Sequence, residues 1–163
     1  MLATVRSASM RLFRALGLTT LGAFAGFAGA AALLKRAVPS RGDAESDEVA
    51  LVAIFDGAAL KSRATAFRGG SMLAWFGGIA VDLREAKLAP HAHLSVHALL
   101  GGIAIRVPPG WRIESNVHAL GRGVAIDAPY TDDAEAPRLV LDGLVLFGGV
   151  AVGARAGDWL FES

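Results

Sequence analysis

The sequence predicts an all-β domain built of stacked strand–bend–strand repeats, preceded by one transmembrane α-helix. Three observations lead to this prediction: a run of twenty uncharged residues near the N-terminus, Gly-centred segments that recur along the chain, and apolar residues that alternate with small or polar ones on both sides of those segments. Hydrophobic residues make up 53% of the 163, enough to bury a sizeable core. The alternative fold is an antiparallel β-sandwich.

The N-terminal region predicts a membrane anchor. Residues 1–14 form a basic tail, and residues 15–34, ALGLTTLGAFAGFAGAAALL, contain no charge. At about 1.5 Å per residue, a helix of this length matches a hydrocarbon core of about 30 Å. A cleaved signal peptide is the rival interpretation, although its apolar region is usually about 7–15 residues long. Gly22 and Gly26 have the GxxxG spacing that permits close helix packing.

Charge is distributed unevenly along the chain. Residues 1–41 carry six basic side chains and no acidic one, so the remaining residues carry ten basic and fifteen acidic side chains, a net charge of −5. Nucleic acid is therefore a poor partner for the region after residue 41. Three basic residues precede the predicted span and three follow it closely, so the positive-inside rule does not assign the side of the membrane. Residues 35–48 are polar and acidic, which predicts a linker.

Residues 49–163 contain an internal repeat. SVHALLGGIAIRVP (95–108) aligns without a gap on NVHALGRGVAIDAP (116–129), and shorter copies begin at Trp75 and Leu146, with a weaker one at Ile54. The marker glycines lie at intervals of 21, 24, 21 and 26 residues: Gly57, Gly78, Gly102, Gly123 and Gly149. A period of this length is typical of stacked supersecondary units.

Each repeat unit reads as a strand, a glycine bend, a second strand and a turn. After the glycines, apolar β-branched residues alternate with small or charged ones, as in Ile103, Ile105 and Val107, which predicts half-buried strands. We assign the bends to glycines because they adopt backbone conformations that a Cβ forbids: Gly77, Gly78, Gly101, Gly102, Gly121, Gly123, Gly148 and Gly149. Successive repeats are expected to stack in chain order.

One apolar position ends the first strand of each good copy. We call these four residues the strand-end stripe: Trp75, Leu99, Leu120 and Leu146. By alternation they lie opposite the core-facing residues such as Val96. They are therefore either packed in a second layer or exposed as a surface for a protein partner.

Histidines raise two further questions. His97 and His118 occupy equivalent repeat positions, so stacking in chain order predicts that they are neighbours, either as ordinary neutral imidazoles or as a pH-responsive pair. His91, His93 and His97 share one face of a strand, but Pro90 and the lack of a matching carboxylate favour a polar turn over a metal site. We predict no metal and no cofactor.

Known catalytic and phosphate-binding motifs are absent from the sequence, which predicts that the protein is not an enzyme.

Three strings carry a family resemblance: FGGIAVDLREAKL (76–88), LGGIAIRVPPGWRIES (100–115) and FGGVAV (147–152). Their order and spacing resemble the C-terminal domain of the LiaF-like family, which is linked to the response to cell-wall-active antibiotics and has a toast-rack-like β domain. The resemblance covers roughly residues 70–153. It implies a membrane-associated regulator of envelope stress that acts through protein contacts, for example on a sensor kinase.

Two functional hypotheses follow. The first is a single-pass, membrane-anchored regulatory or interaction module, held in lipid by residues 15–34 and contacting another membrane protein. The second is a structural, self-assembling β-stack that forms a scaffold at the envelope. Homo-oligomerisation is compatible with both. The tail, residues 155–163, contains Trp159, Leu160 and Phe161 and is predicted to fold back as a cap on the end of the stack.

Overall fold

A computed structural model describes residues 39–121, 123–127 and 133–156. The predicted basic tail, the predicted span with Gly22 and Gly26, and the aromatic residues of the predicted C-terminal cap lie outside the described residues. Within them, no helix has the length and apolar character needed to cross a membrane.

Ten strands make up the described domain. They are β1 (Glu48–Ile54), β2 (Gly57–Lys61), β3 (Phe67–Trp75), β4 (Gly78–Asp82), β5 (Leu88–Leu99), β6 (Gly102–Arg106), β7 (Arg112–Leu120), β8 (Gly123–Asp127), β9 (Arg138–Leu146) and β10 (Gly149–Gly153). Each odd-numbered strand and the even-numbered strand after it form one coil, numbered 1 to 5 along the chain.

The coils stack so that the strands form two parallel sheets. The first sheet has the order β1-β3-β5-β9-β7, and the second has the order β2-β4-β6-β10-β8. The alignment of the repeats predicted from the sequence is confirmed, because the marker glycines of the five repeats lie in register in one column: Gly57, Gly78, Gly102, Gly149 and Gly123. All strand pairs within the two sheets are parallel, so the antiparallel sandwich alternative is wrong.

The order of the coils departs from the order of the chain. Coil 5 lies between coils 3 and 4, so the fourth coil in the sequence is the outermost one in space. The prediction that His97 and His118 are neighbours is therefore wrong, since Leu144 of β9 separates them. The interval of 26 residues before Gly149, the longest of the four, reflects the longer connection that returns the chain to the inner position.

Inward-facing side chains explain this order. Leu139, Leu141 and Val145 of β9 are fully buried in the core. The positions of β7 in register with Leu141 and Val145 are Ser115 and Ala119, which are more polar or smaller. At these two positions coil 5 gains more from an inner place in the stack, because the free energy of burial rises with the apolar area removed from water.

The predicted alternation builds the core in part. Ile103, Ile105 and Val107 belong to it as predicted, but the intervening Ala104 and Arg106 are buried as well. Trp111, after the turn, belongs to the same core with only 7% of its surface exposed. At the β1 end of the stack, residues 40–46 also contact coil 1. Arg41 and Ala50 exchange two backbone hydrogen bonds, and the backbone N–H of Val52 donates to Ser40 Oγ at 2.9 Å.

Candidate protein-binding surface

The bends hold a row of bulky apolar residues in an unusual backbone conformation. Phe55, Phe76, Leu100 and Phe147 have φ between 52° and 57°, the left-handed region that L-residues with a Cβ rarely adopt. This conformation costs a non-glycine residue about 1–2 kcal/mol. We call these four residues the bend ridge. The equivalent position in coil 4 is Gly121, with φ of 116°.

Backbone hydrogen bonds between coils stack the bend ridge into a column. The N–H of Phe76 donates to the carbonyl of Leu99 at 2.9 Å, and the N–H of Leu100 donates to the carbonyl of Leu146 at 2.9 Å. The N–H of Phe147 continues the column with a 2.7 Å bond to the carbonyl of Leu120. Each bend is therefore fixed by its neighbour, which places the ridge side chains at a regular spacing.

The side chains of the bend ridge are exposed to solvent. Leu100 is 48% exposed and Phe147 is 63% exposed, while Phe55 and Phe76 are 46% and 39% exposed. The rings of Phe55 and Phe76 are stacked, with centroids 5.0 Å apart and planes 10° from parallel. Exposed apolar residues that form one contiguous row are typical of a surface that binds another protein.

The predicted strand-end stripe lies directly beside the bend ridge. Its four residues form one column in the order Trp75, Leu99, Leu146 and Leu120. The first three are half-buried, and Leu120 is 59% exposed. Leu144, two residues before Leu146, adds a further exposed apolar side chain. The stripe and the ridge together make a continuous apolar surface along the bend edge of the stack.

Sequence reasoning identified the stripe and missed the ridge. The signal was present in the strings WFGG, LLGG and LFGG, where two bulky apolar residues precede each glycine pair. Strand alternation predicts that the first of these two residues faces outward, but it does not predict the direction of the second. Only the left-handed φ of the second residue turns its side chain outward beside the first.

Most of the glycines assigned to the bends do not have the special backbone conformation that was predicted for them. Gly77, Gly101 and Gly148 are not the left-handed residues of their bends; each lies so close to the carbonyl oxygen of the bend in the preceding spatial coil that a Cβ would collide with it. At Gly78 and Gly102 a Cβ would find its nearest atom at 4.0 Å and 3.8 Å, an ordinary contact. In coil 4, by contrast, Gly121 and Gly123 do have positive φ.

A shallow groove of about 1060 Å³ runs along the second sheet beside the ridge. Leu100 and Phe147 are on one side of it, and its floor is a register column of alanines: Ala59, Ala80, Ala104, Ala151 and Ala125. Small side chains on the floor let the backbone of a bound segment approach the sheet closely. Among the described residues of the lining, Asp56 is the one that carries a charge.

Polar groups on the outer face of the first sheet form two separate pairs. His93 Nε2 lies 2.7 Å from Asp142 Oδ2, and Ser95 Oγ lies 3.2 Å from His97 Nε2. The carboxylate and the hydroxyl thus engage different histidines, so the arrangement lacks the shared imidazole of a Ser-His-Asp triad. In the described part of the chain, no three His, Asp or Glu side chains converge closely enough to hold a metal ion.

A buried carboxylate at the end of β4 stabilises the side of the stack away from the bends. Asp82, 2% exposed, accepts hydrogen bonds from Arg84 Nε at 2.9 Å and Nη2 at 2.6 Å, and Arg106 Nη1 lies 3.8 Å away. Burial raises the pKa of Asp82, but the hydrogen bonds from Arg84 and the charges of Arg84 and Arg106 outweigh it and hold the pKa below its ordinary value. This cluster is structural.

Comparison with known proteins does not place the chain in a family. No family model, no curated protein and no solved structure matches it.

Proposed function

We propose that the chain is a membrane-anchored, non-catalytic interaction module whose stacked β domain binds a protein partner through the bend ridge and the strand-end stripe. The observation that carries the proposal is the repeated placement of Phe or Leu, exposed, at a left-handed position. Glycine adopts that conformation at lower cost and occupies it in coil 4. A bulky apolar side chain that costs stability at four coils indicates a use outside the fold.

The nature of the surface supports a protein partner over a small molecule. The ridge is rigid, because every bend is hydrogen-bonded to the next, and rigid apolar anchors lose little entropy on binding. Aromatic residues at the centre of an apolar patch are typical of interface hot spots. The groove offers few polar side chains with which to orient a small substrate.

We propose further that this partner is a membrane protein of envelope-stress signalling, such as a sensor kinase. This part rests on the predicted span at residues 15–34 and on the LiaF-like strings. The scaffold alternative requires head-to-tail stacking of coils, and the β1 edge it would use is already bonded to Ser40 and Arg41. We therefore favour the interaction module.

Site-specific photo-crosslinking in the native membrane tests the proposal. A photoreactive phenylalanine analogue at Phe147 is expected to give one discrete heterologous product, identified by mass spectrometry, and the same analogue at exposed Glu85 is expected to give none. The Leu100→Gly change should reduce the product about tenfold or more, because burying one Leu side chain contributes about 1.5–3 kcal/mol.

The same Leu100→Gly variant separates binding from folding. Its free energy of unfolding should stay unchanged or rise by about 1 kcal/mol, because glycine relieves the left-handed strain. The control Leu144→Gly removes an equally exposed leucine from within β9, where glycine weakens the strand by about 0.5–1 kcal/mol. Equal crosslinking from Phe147 and Glu85, or a product that survives Leu100→Gly, would overturn the proposal.

A further inference from the structure

The two ends of the stack differ in how their backbone groups are used. At the first end, Ser40 and Arg41 hydrogen-bond to β1. At the other end, β7 and β8 are the outermost strands of both sheets, and no strand of the described residues pairs with their outer edges. Open strand edges of this kind are templates for pairing with another strand.

Core-facing positions are also uncovered at the β7–β8 end. Ser115 and Ala119 are exposed, although they lie in register with Leu141 and Val145, which are fully buried one strand further in. Ile126 of β8 is 43% exposed and lies in register with buried Val152. The core thus continues to this end of the stack without a closing layer among the described residues.

We propose that a second copy of the chain closes this end, with β7 pairing antiparallel to β7 of the second copy about a two-fold axis at Asn116. In that register, Glu114 of each copy lies opposite His118 of the other, and Ile113 lies opposite Ala119. Glu114 and His118 are on the outer face of β7, and opposite pairs of acid and imidazole stabilise an antiparallel ladder. In this register both copies of Glu114 face an imidazole, while Arg112 faces Leu120 and Ser115 faces Val117.

Neighbouring registers are less favourable. Centring the axis on Ser115 places Arg112 opposite His118, and centring it on Val117 places Glu114 opposite Leu120. The first pairs two basic groups, and neither places a basic group opposite Glu114, whereas the Asn116 register pairs each Glu114 with an imidazole.

A dimer of this kind does not grow further. An isologous two-fold interface uses the same surface on both copies and leaves no further copy of it. At the opposite end of each stack, Ser40 and Arg41 occupy part of the β1 edge that a head-to-tail fibre would need. We expect dimers and no filaments.

Disulfide crosslinking tests the dimer, because the chain contains no cysteine of its own. Directly opposite residues of an antiparallel pair have Cα atoms about 4.5–5.5 Å apart, within the disulfide range of about 4.4–6.8 Å. Full-length Asn116→Cys, oxidised mildly, should run mostly as a covalent dimer. Ser71→Cys lies in the same outward column, three strands away on β3, and should remain monomeric.

Charge reversal provides the second measurement. Glu114→Lys on the Asn116→Cys background should reduce the covalent dimer several-fold, because Lys then faces His118, and adding His118→Glu should restore it. Glu114 also pairs with Arg138 at 3.4 Å, but both side chains are about half exposed, so the fold is expected to tolerate the change.

Three results would overturn the proposal. A monomeric Asn116→Cys chain would exclude the interface, and a mixed disulfide between Ala50→Cys and Asn116→Cys chains would show head-to-tail stacking instead. A covalent dimer that forms only after deletion of residues 157–163 would show that the C-terminal tail is the occupant, as the sequence predicts. None of these readouts involves the bend ridge, so they do not depend on the proposed function.

Discussion

Gly101 and Gly102 are adjacent in the sequence and have different roles in the stack. A Cβ on Gly101 would meet the carbonyl oxygen of Gly77 in coil 2, and neither backbone can move without breaking the ladder of bends. A Cβ on Gly102 would have its nearest contact at 3.8 Å, with the carbonyl oxygen of Gly149. The glycine pair therefore combines one steric requirement with one position that tolerates a side chain.

Alanine at these two positions should separate the roles. Gly101→Ala is expected to lower the free energy of unfolding by about 3 kcal/mol, the upper part of the range for overpacking a rigid site. Gly102→Ala is expected to change it by less than about 1 kcal/mol, since its Cβ has room and the unfolded chain loses entropy. Urea denaturation checks both, and equal losses for the two variants would contradict the steric explanation.

Among the described residues, Asp82 is a buried carboxylate whose ionisation contributes to stability. Because its pKa is lowered in the folded state, its contribution is present above the unfolded value of about 3.9 and is lost as the pH falls through the folded value. Asp82→Asn should cost about 3 kcal/mol at pH 7, since it removes the buried carboxylate that faces Arg84 and Arg106. The difference from the unsubstituted protein should shrink as the pH falls below about 4.

A nearby exposed ion pair supplies the control for Asp82. Lys61 and Glu85 form a salt bridge with side chains 57% and 49% exposed, so Glu85→Gln should cost less than about 1 kcal/mol at any pH. Denaturation curves at pH 7 and pH 3 give the comparison. A pH-independent loss in Asp82→Asn would mean that the carboxylate acts through packing and not through charge.

At the scale of the element, coil 5 takes an inner place in the stack, where it buries Leu141 and Val145 in register with Ser115 and Ala119 of coil 4. Truncation to alanine should report this directly. Val145 of β9 is fully buried and Val117 of β7 is half-buried, so Val145→Ala should cost about 2 kcal/mol and Val117→Ala about half of that or less. If the coils stacked in chain order, Val117→Ala would cost more than Val145→Ala, because coil 5 would then be at the end of the stack.

The strands themselves were predictable from the sequence, and their spatial order was not. Alternation at Ile103, Ile105 and Val107 is a local property, and the 21-residue repeat sets the phase of the bends. Either coil 4 or coil 5 could stack next to coil 3, and the outcome depends on how well each whole coil packs there. The local sequence does not decide it, since Leu144 and His118 are equally compatible with a place beside His97. Similarly, the bend ridge depends on four φ angles that hydrophobic periodicity does not encode.

At the scale of the whole molecule, one edge of the stack carries the apolar ridge and one end is open. The ridge is continuous because coil 5 brings Phe147 next to Leu100. The open end consists of β7 and β8 because coil 5 lies between coil 4 and the rest of the stack. The binding proposal and the dimer proposal both depend on this coil order.

Paired cysteines measure the coil order most directly. His97, Leu144 and His118 lie in one outward column, in that order, and all three are exposed. Adjacent strands are about 4.8 Å apart, so His97→Cys with Leu144→Cys should form an intramolecular disulfide. His97→Cys with His118→Cys, about 10 Å apart across the intervening strand, should not. A disulfide in the second pair and none in the first would show that the coils stack in chain order.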